Sequence, residues 1–130
     1  MKNRTTSKHF EIFKKEAELW LKRLGLIDYR VEFFHKEISK DALAVMDANI
    51  DGRVATITLA IDWSHERIST YQLKRTAFHE VIELLLARIG YLGECRFLQN
   101  EEIPEEKHNI IRRLENFFYG NTSSKTIKKV

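Results

Sequence analysis

The chain has 130 residues, 43% of them hydrophobic and 32% charged, which is the size and balance of a single globular domain with one core. One cysteine rules out an intrachain disulfide, and no apolar run approaches the roughly 20 residues needed to span a bilayer. The sequence therefore predicts a cytoplasmic protein. The formal charge of +3 is mild and lies largely in the two ends, so nucleic acid is not an expected partner.

The first part of the chain predicts a helix followed by a strand. Apolar residues recur at steps of three and four over residues 8–24, which is the spacing of an amphipathic helix. Gly25 stands where a helix-ending glycine belongs. Residues 29–34 then have the aromatic and β-branched composition of a strand.

A β-hairpin is predicted around Asp51-Gly52, a dipeptide that favours tight turns. The run 54–61 after it is rich in β-branched residues and alternates, which predicts a strand with one face on the core. Residues 42–50 before it are expected to form the partner strand. A polar connection over residues 62–70 follows, with Trp63 as its expected anchor.

Two helices are predicted in the second half. The first covers residues 71–89 and is closed by Gly90 and Gly93; the second begins near Pro104 and ends at Gly120. The apolar stripe of the second helix consists of Ile110, Ile111, Leu114, Phe117 and Phe118.

Together these elements predict an α+β domain with an N-terminal helix, a small three-stranded and mostly antiparallel sheet, and two further helices. We expect this single domain to cover residues 8–119, with flexible tails at residues 1–7 and 120–130.

The first of these two helices carries a cluster of metal-binding residue types. His79 and Glu83 are four residues apart, so they project from the same face, where an imidazole nitrogen and a carboxylate oxygen can hold zinc. Glu80 follows His79 directly, the position of the general base in His-Glu-x-x-His metalloproteases. The sequence therefore predicts Zn²⁺ as cofactor and Glu80 as catalytic residue.

A catalytic zinc usually has three protein ligands, so one more is expected from outside this helix. His108 is the best candidate, because it lies beside the apolar stripe of the last helix. Glu105 and Glu115 are alternatives that could replace or join it. The remaining histidines are expected to lie at the surface; they are His9, His35 and His65.

A simpler interpretation is that His79, Glu80 and Glu83 form an exposed helix face with i,i+4 ion pairs. The apolar neighbours of His79 favour partial burial instead. Two buried acids without a cation would be costly, and a zinc ion removes that cost.

These residues resemble those of compact zincin metallopeptidases of the minimal gluzincin, SprT-like and ImmA/IrrE-like kind. The sequence from Leu73 to Leu85 is similar to metallopeptidase-like proteins of tailed phages and prophages, in which a His-Glu-x-x-Glu helix precedes a final helix. That final helix has the pattern Glu-x-x-His-x-Ile-x-Arg-x-Leu-Glu, matched here by Glu105, His108, Ile110, Arg112, Leu114 and Glu115.

The resemblance implies a zincin-like fold in which zinc is held by His79, Glu83 and His108, with Glu80 as base. It also implies that the strand at residues 54–61 is the sheet edge along which a peptide or protein substrate pairs. A phage-encoded protein would act in the host cell cytoplasm. Most of these families have His where this chain has Glu83, and an anionic ligand makes zinc a weaker Lewis acid.

Three functions are consistent with these features. The first is a zinc-dependent hydrolase, most simply a metallopeptidase. The second is a non-catalytic phage regulatory or structural module that zinc stabilises. The third is a metal-free helical protein that binds a partner or nucleic acid through its basic ends.

Overall fold

The computed structural model describes residues 2–38, 41–87, 90–91, 93 and 102–120. Within these residues the chain forms an α+β fold, as predicted. The helices are α1 (Ser7–Arg23), α2 (Thr70–Leu85) and α3 (Glu102–Tyr119). The strands are β1 (Asn3–Arg4), β2 (Arg30–Lys36), β3 (Ala44–Asn49), β4 (Val54–Ala60) and β5 (Asp62–Ser64).

Local signals at both ends fix the extent of α1. The Thr6 side chain accepts from the backbone N–H of His9, and the His9 ring accepts from the Thr6 N–H, which completes a capping box. At the other end Gly25 has a φ of +71°, a left-handed conformation that suits glycine. The predicted helix and its terminator are confirmed.

The predicted hairpin is confirmed, but the sheet is not mostly antiparallel. Its strand order is β2-β4-β3, in which β3 pairs antiparallel with β4 while β2 pairs parallel with β4. The reason lies in the connection after β2, which carries the chain to the far edge of the sheet. Because β3 runs back along that edge, the hairpin returns β4 between the two outer strands, in the direction of β2.

The prediction that residues 54–61 form a sheet edge is wrong. β4 is the central strand, paired with β2 on one side and β3 on the other, so its backbone is not open to a peptide. Its burial explains this position, since Ala55, Ile57 and Leu59 are almost fully buried. Among the described residues, β3 contacts α2 and pairs with a strand on one side alone, which leaves its outer edge open.

The amino-terminal residues from Asn3 to Thr5 contact other segments of the fold, although a flexible tail was predicted over residues 1–7. β1 pairs antiparallel with β5, which lies in the predicted polar connection. Thr5 is buried; its hydroxyl donates to the Ala60 carbonyl (2.8 Å) and lies 2.8 Å from His35 Nε2. His35 also stacks on Phe10 and is partly buried, so it is not the surface residue that we expected. Of the predicted tail 120–130, all but Gly120 lies outside the described residues.

The helix α2 is central to the packing and is buried on most of its circumference. Leu73, Ala77, Val81 and Leu84 belong to the main core with α1 and the sheet, and Trp63 lies in the same core, as predicted. A second, smaller cluster joins Phe78 and Ile82 of α2 to Ile111 of α3.

Some boundaries and faces of the last two helices differ from the predictions. α2 ends at Leu85 with Leu86 as its cap, before the predicted end at residue 89, which lies outside the described residues. On α3, Ile111 is fully buried, but Ile110 and Phe118 of the predicted stripe are 40% and 50% exposed. No helix in the described part of the chain has the length and apolar character required to cross a bilayer.

Candidate metal centre

The helices α2 and α3 meet at the predicted site. Ile111 is fully buried against Phe78 and Ile82, and this contact sets the rotation of α3. His108 and Glu115 lie three residues before and four residues after Ile111, so they share its face and point towards α2. A helical period on α3 therefore places both side chains beside His79.

Three side chains form a group that could hold a metal ion. One ligand atom from each of His79, Glu83 and His108 lies within 4.8 Å of the other two. The Oε2 atom of Glu83 is 3.3 Å from Nε2 of His79 and 3.0 Å from Nε2 of His108. Two ligands held at about 2.0–2.1 Å by a tetrahedral ion would be about 3.3 Å apart, so these separations fit such an ion.

Each member of this group has a second polar partner that orients it. His79 Nδ1 lies 2.5 Å from Glu115 Oε2, and His108 Nδ1 lies 3.1 Å from the Pro104 carbonyl. Because both oxygens accept hydrogen bonds, each ring donates through Nδ1 and turns Nε2 towards Glu83. Such outer contacts are a regular feature of histidine metal ligands.

Glu83 has an outer contact of its own. Lys107 Nζ lies 3.4 Å from Oε1 of Glu83, the oxygen that faces away from the two rings. One carboxylate oxygen is thus paired with a cation, and the other faces the imidazoles. The donor set, its spacing and its outer contacts all fit a divalent metal ion.

In the metal-free centre, the pKa values of His79 and Glu83 are strongly shifted. Burial lowers the pKa of His79, but its hydrogen bonds to Glu115 and Glu83 outweigh burial and raise the pKa to about 10. For Glu83, burial alone would raise the pKa. The hydrogen bond to His79 and the charge of Lys107 outweigh burial and lower the pKa of Glu83 to about 2. The metal-free centre therefore holds a proton on His79 that a metal ion would replace.

Glu80 lies beside the group in a different electrostatic environment. The residue is 7% exposed, and burial raises its pKa to about 7. The charges of Glu83 and Glu115 act in the same direction, while His79 opposes them. The carboxyl of Glu80 therefore changes its protonation state near neutral pH. Glu80 is not one of the three grouped residues.

A cleft of about 500 Å³ opens next to His79 and Glu80. One wall is the polar face of α2, and the other is the segment that leads into the edge strand β3. The lining residues are Ala42, Leu43, Ala44, Gln72, Arg75, Thr76, His79, Glu80 and Glu115. A molecule bound in this cleft would contact His79 of the metal group and Glu80.

The structure resolves the alternatives for the third group member among the described residues. His108 joins His79 and Glu83, whereas Glu115 contacts the far nitrogen of the His79 ring, and Glu105 is exposed outside the group. The contact of Lys107 with Glu83 was not predicted from the sequence. The available signal was the position of Lys107 directly before His108 and one helical turn before the buried Ile111.

Tyr119 and Tyr71 lie outside the site. The Tyr119 hydroxyl donates to Glu16 Oε2 (2.6 Å) and accepts from the Trp20 indole (2.7 Å), which fastens the end of α3 to α1. Burial and the hydrogen bond to Glu16 raise the pKa of Tyr119. Tyr71 packs edge-on against Tyr119, and neither lines the cleft.

Comparison with known proteins adds no relative: the chain matches no family model, no curated protein and no solved structure.

Proposed function

We propose that this protein is a zinc-dependent metallopeptidase with a zincin-like fold, in which His79, Glu83 and His108 hold zinc and Glu80 is the general base. The observation that carries the proposal is a group of three possible ligands, of which His79 lines the same cleft as Glu80, a buried acid that is not one of the three. Three protein ligands leave a fourth position for chemistry.

Bound zinc would supply a Lewis acid at this point of the cleft. Glu80 accepts a proton from the attacking water and passes it to the leaving amine. In the metal-free protein burial raises the pKa of Glu80 to about 7, and the positive charge of a bound ion would lower it from there, towards the ionised form that a general base requires.

The contact between Lys107 and Glu83 bears on whether an anionic ligand permits catalysis. Glu83 brings a negative charge that weakens zinc as a Lewis acid, compared with a histidine in its place. Lys107 Nζ, 3.4 Å from the outer carboxylate oxygen, draws part of that charge away from the metal side. This pairing supports catalysis with Glu83 as a ligand.

The edge strand β3 is the proposed binding edge for the peptide, in place of β4. Ala60 N–H donates to the Leu43 carbonyl (2.9 Å), so the backbone groups of Leu43 face β4. The backbone groups of successive residues in a strand face alternate sides, and those of Ala44, Met46 and Ala48 therefore face outwards. A peptide can pair with those groups by β-augmentation. Since Ala44 lines the cleft, such a peptide would lead towards Glu80.

The test is a cleavage assay with zinc-loaded protein and a complex mixture of peptides, with new termini identified by mass spectrometry. We expect cleavage that is lost when zinc is chelated. Glu80→Gln should keep one zinc per chain but lose cleavage, whereas Glu105→Gln, an exposed change of the same type on α3, should keep both. Cleavage by Glu80→Gln would refute the mechanism.

A second candidate is a non-catalytic module, such as a phage regulatory or structural protein, in which zinc only joins two helices. It is favoured by one observation, namely that the grouped ligands come from both α2 and α3. This candidate predicts bound zinc, loss of zinc in His79→Ala and His108→Ala, and no cleavage of any peptide. A chain that binds no zinc would refute both candidates.

A further inference from the structure

Arg75 is a cation in the cleft that the proposed mechanism does not use. It precedes His79 by four residues, so the two side chains share a face of α2, and both line the cleft. Its guanidinium donates to the neutral Asn116 side chain (3.2 Å). Among the described residues, no carboxylate forms an ion pair with it.

Apart from His79, the residues that line the cleft with Arg75 are neutral or acidic. Gln72 and Thr76 are its uncharged neighbours on α2, and the facing wall consists of small and apolar residues at 42–44. Glu80 and Glu115 contribute the acidic groups. Among the described residues of the cleft, Arg75 is therefore the one whose positive charge depends neither on pH nor on a metal ion, because arginine stays protonated at all relevant pH values.

The chemistry of Arg75 identifies the group that it would bind. A planar guanidinium presents paired N–H donors that match the two oxygens of a carboxylate. The separation of Arg75 from His79 along the axis of α2 is four residues, or about 6 Å at about 1.5 Å per residue. That distance corresponds to one or two residues of extended peptide at about 3.3 Å each.

We propose that Arg75 binds a carboxylate of the peptide substrate, one or two residues from the bond that is cut; this inference rests on the proposed peptidase function. The carboxylate can belong to the C-terminus of the peptide or to an Asp or Glu side chain. Either way Arg75 is a specificity-determining residue, and substrates that carry the carboxylate are preferred over those that lack it.

Binding to zinc-loaded Glu80→Gln protein tests this assignment without cleavage. Four pools of fluorescently labelled random octapeptides are titrated by anisotropy: with or without Asp and Glu, each with a free or an amidated C-terminus. We expect a pool with the preferred carboxylate to bind about tenfold tighter than the pool with none, since hydrogen bonds between charged groups are the strong ones. The two kinds of pool separate the two sources of the carboxylate.

Two variants in the same background separate recognition from a structural role. Arg75→Gln should reduce the preference to less than about twofold and leave binding of the carboxylate-free pool unchanged. Asn116→Ala removes the hydrogen-bond partner of Arg75 but keeps the cation, so it should keep the preference. Equal binding of all pools, binding of none, or equal loss in both variants would overturn the assignment. Failure of the wild-type protein to cut a preferred pool that still binds would refute the peptidase function alone.

Discussion

The buried carboxyl of Glu80 should make the stability of the metal-free protein depend on pH in a defined direction. Burial raises the pKa of Glu80 from 4.5 to about 7. Between these values the folded chain holds a proton on Glu80 that the unfolded chain has released. The contribution of Glu80 to stability is therefore complete below pH 4.5 and is lost as the pH rises through 7.

The size of this effect follows from the same values. A tenfold change in a proton-binding constant is worth about 1.4 kcal/mol, so a rise in pKa from 4.5 to about 7 corresponds to about 3 kcal/mol of unfolding free energy. Glu80→Gln has a neutral amide at all pH values and avoids this loss. We expect the variant to match the wild type near pH 4 and to exceed it by about 3 kcal/mol at pH 8.

Urea denaturation with a chelator present, at half-unit steps from pH 4 to pH 8, measures the difference. Glu83→Gln is the matched control of opposite sign, because the pKa of Glu83 is lowered to about 2. Its carboxylate contributes stability that is present above pH 4.5 and is lost as the pH falls towards 2, so above pH 4.5 the variant should be less stable than the wild type by an amount that stays nearly constant up to pH 8. A difference between Glu80→Gln and wild type that stays constant with pH would refute the assigned environment of Glu80.

Three further predictions concern the centre and the helix α3. Glu115→Gln should weaken zinc binding about 10- to 100-fold, because the outer partner of a ligand histidine loses its negative charge. Glu105→Gln should change zinc binding less than about twofold, and competition with a chromophoric chelator measures both. Zinc affinity should rise about tenfold per pH unit from pH 6.5 to 8, because zinc displaces a proton from His79. The hydrogen bonds to Glu115 and Glu83 raise the pKa of His79 to about 10, so the proton is present over this whole range. A zinc affinity that does not change with pH would contradict this. Tyr119→Phe leaves Glu16 without the hydroxyl donor and should cost about 1 kcal/mol in urea denaturation, an expectation that an unchanged midpoint would refute.

The features that the sequence predicted correctly depend on short-range signals. The extent of α1 follows from its apolar period and Gly25, and the hairpin follows from Asp51-Gly52 between two alternating strands. The choice of His108 also relied on local spacing, because a residue three positions before a buried Ile111 must share its face. These features depend on the periodicity of side chains along a helix or a strand.

The features that the sequence did not predict depend on contacts between distant segments. The order β2-β4-β3 is set by where the chain crosses the sheet, and no local pattern in β4 distinguishes a central strand from an edge. β1 and β5 have two and three residues, too few for a period to appear. Lys107 and Arg75 have long side chains whose partners are decided only when α2 and α3 pack together.

The two candidate functions share the metal group, so the difference between them lies in Glu80. A zinc ion that only joins α2 to α3 requires His79, Glu83 and His108, together with the outer contacts that orient them. Such a module has no use for a further carboxyl, 7% exposed, whose burial costs stability in the metal-free protein. A hydrolase needs that carboxyl as its base, at the cleft that would hold the peptide. Buried ionisable groups with a shifted pKa occur most often at functional sites, so Glu80 favours the peptidase over the structural module.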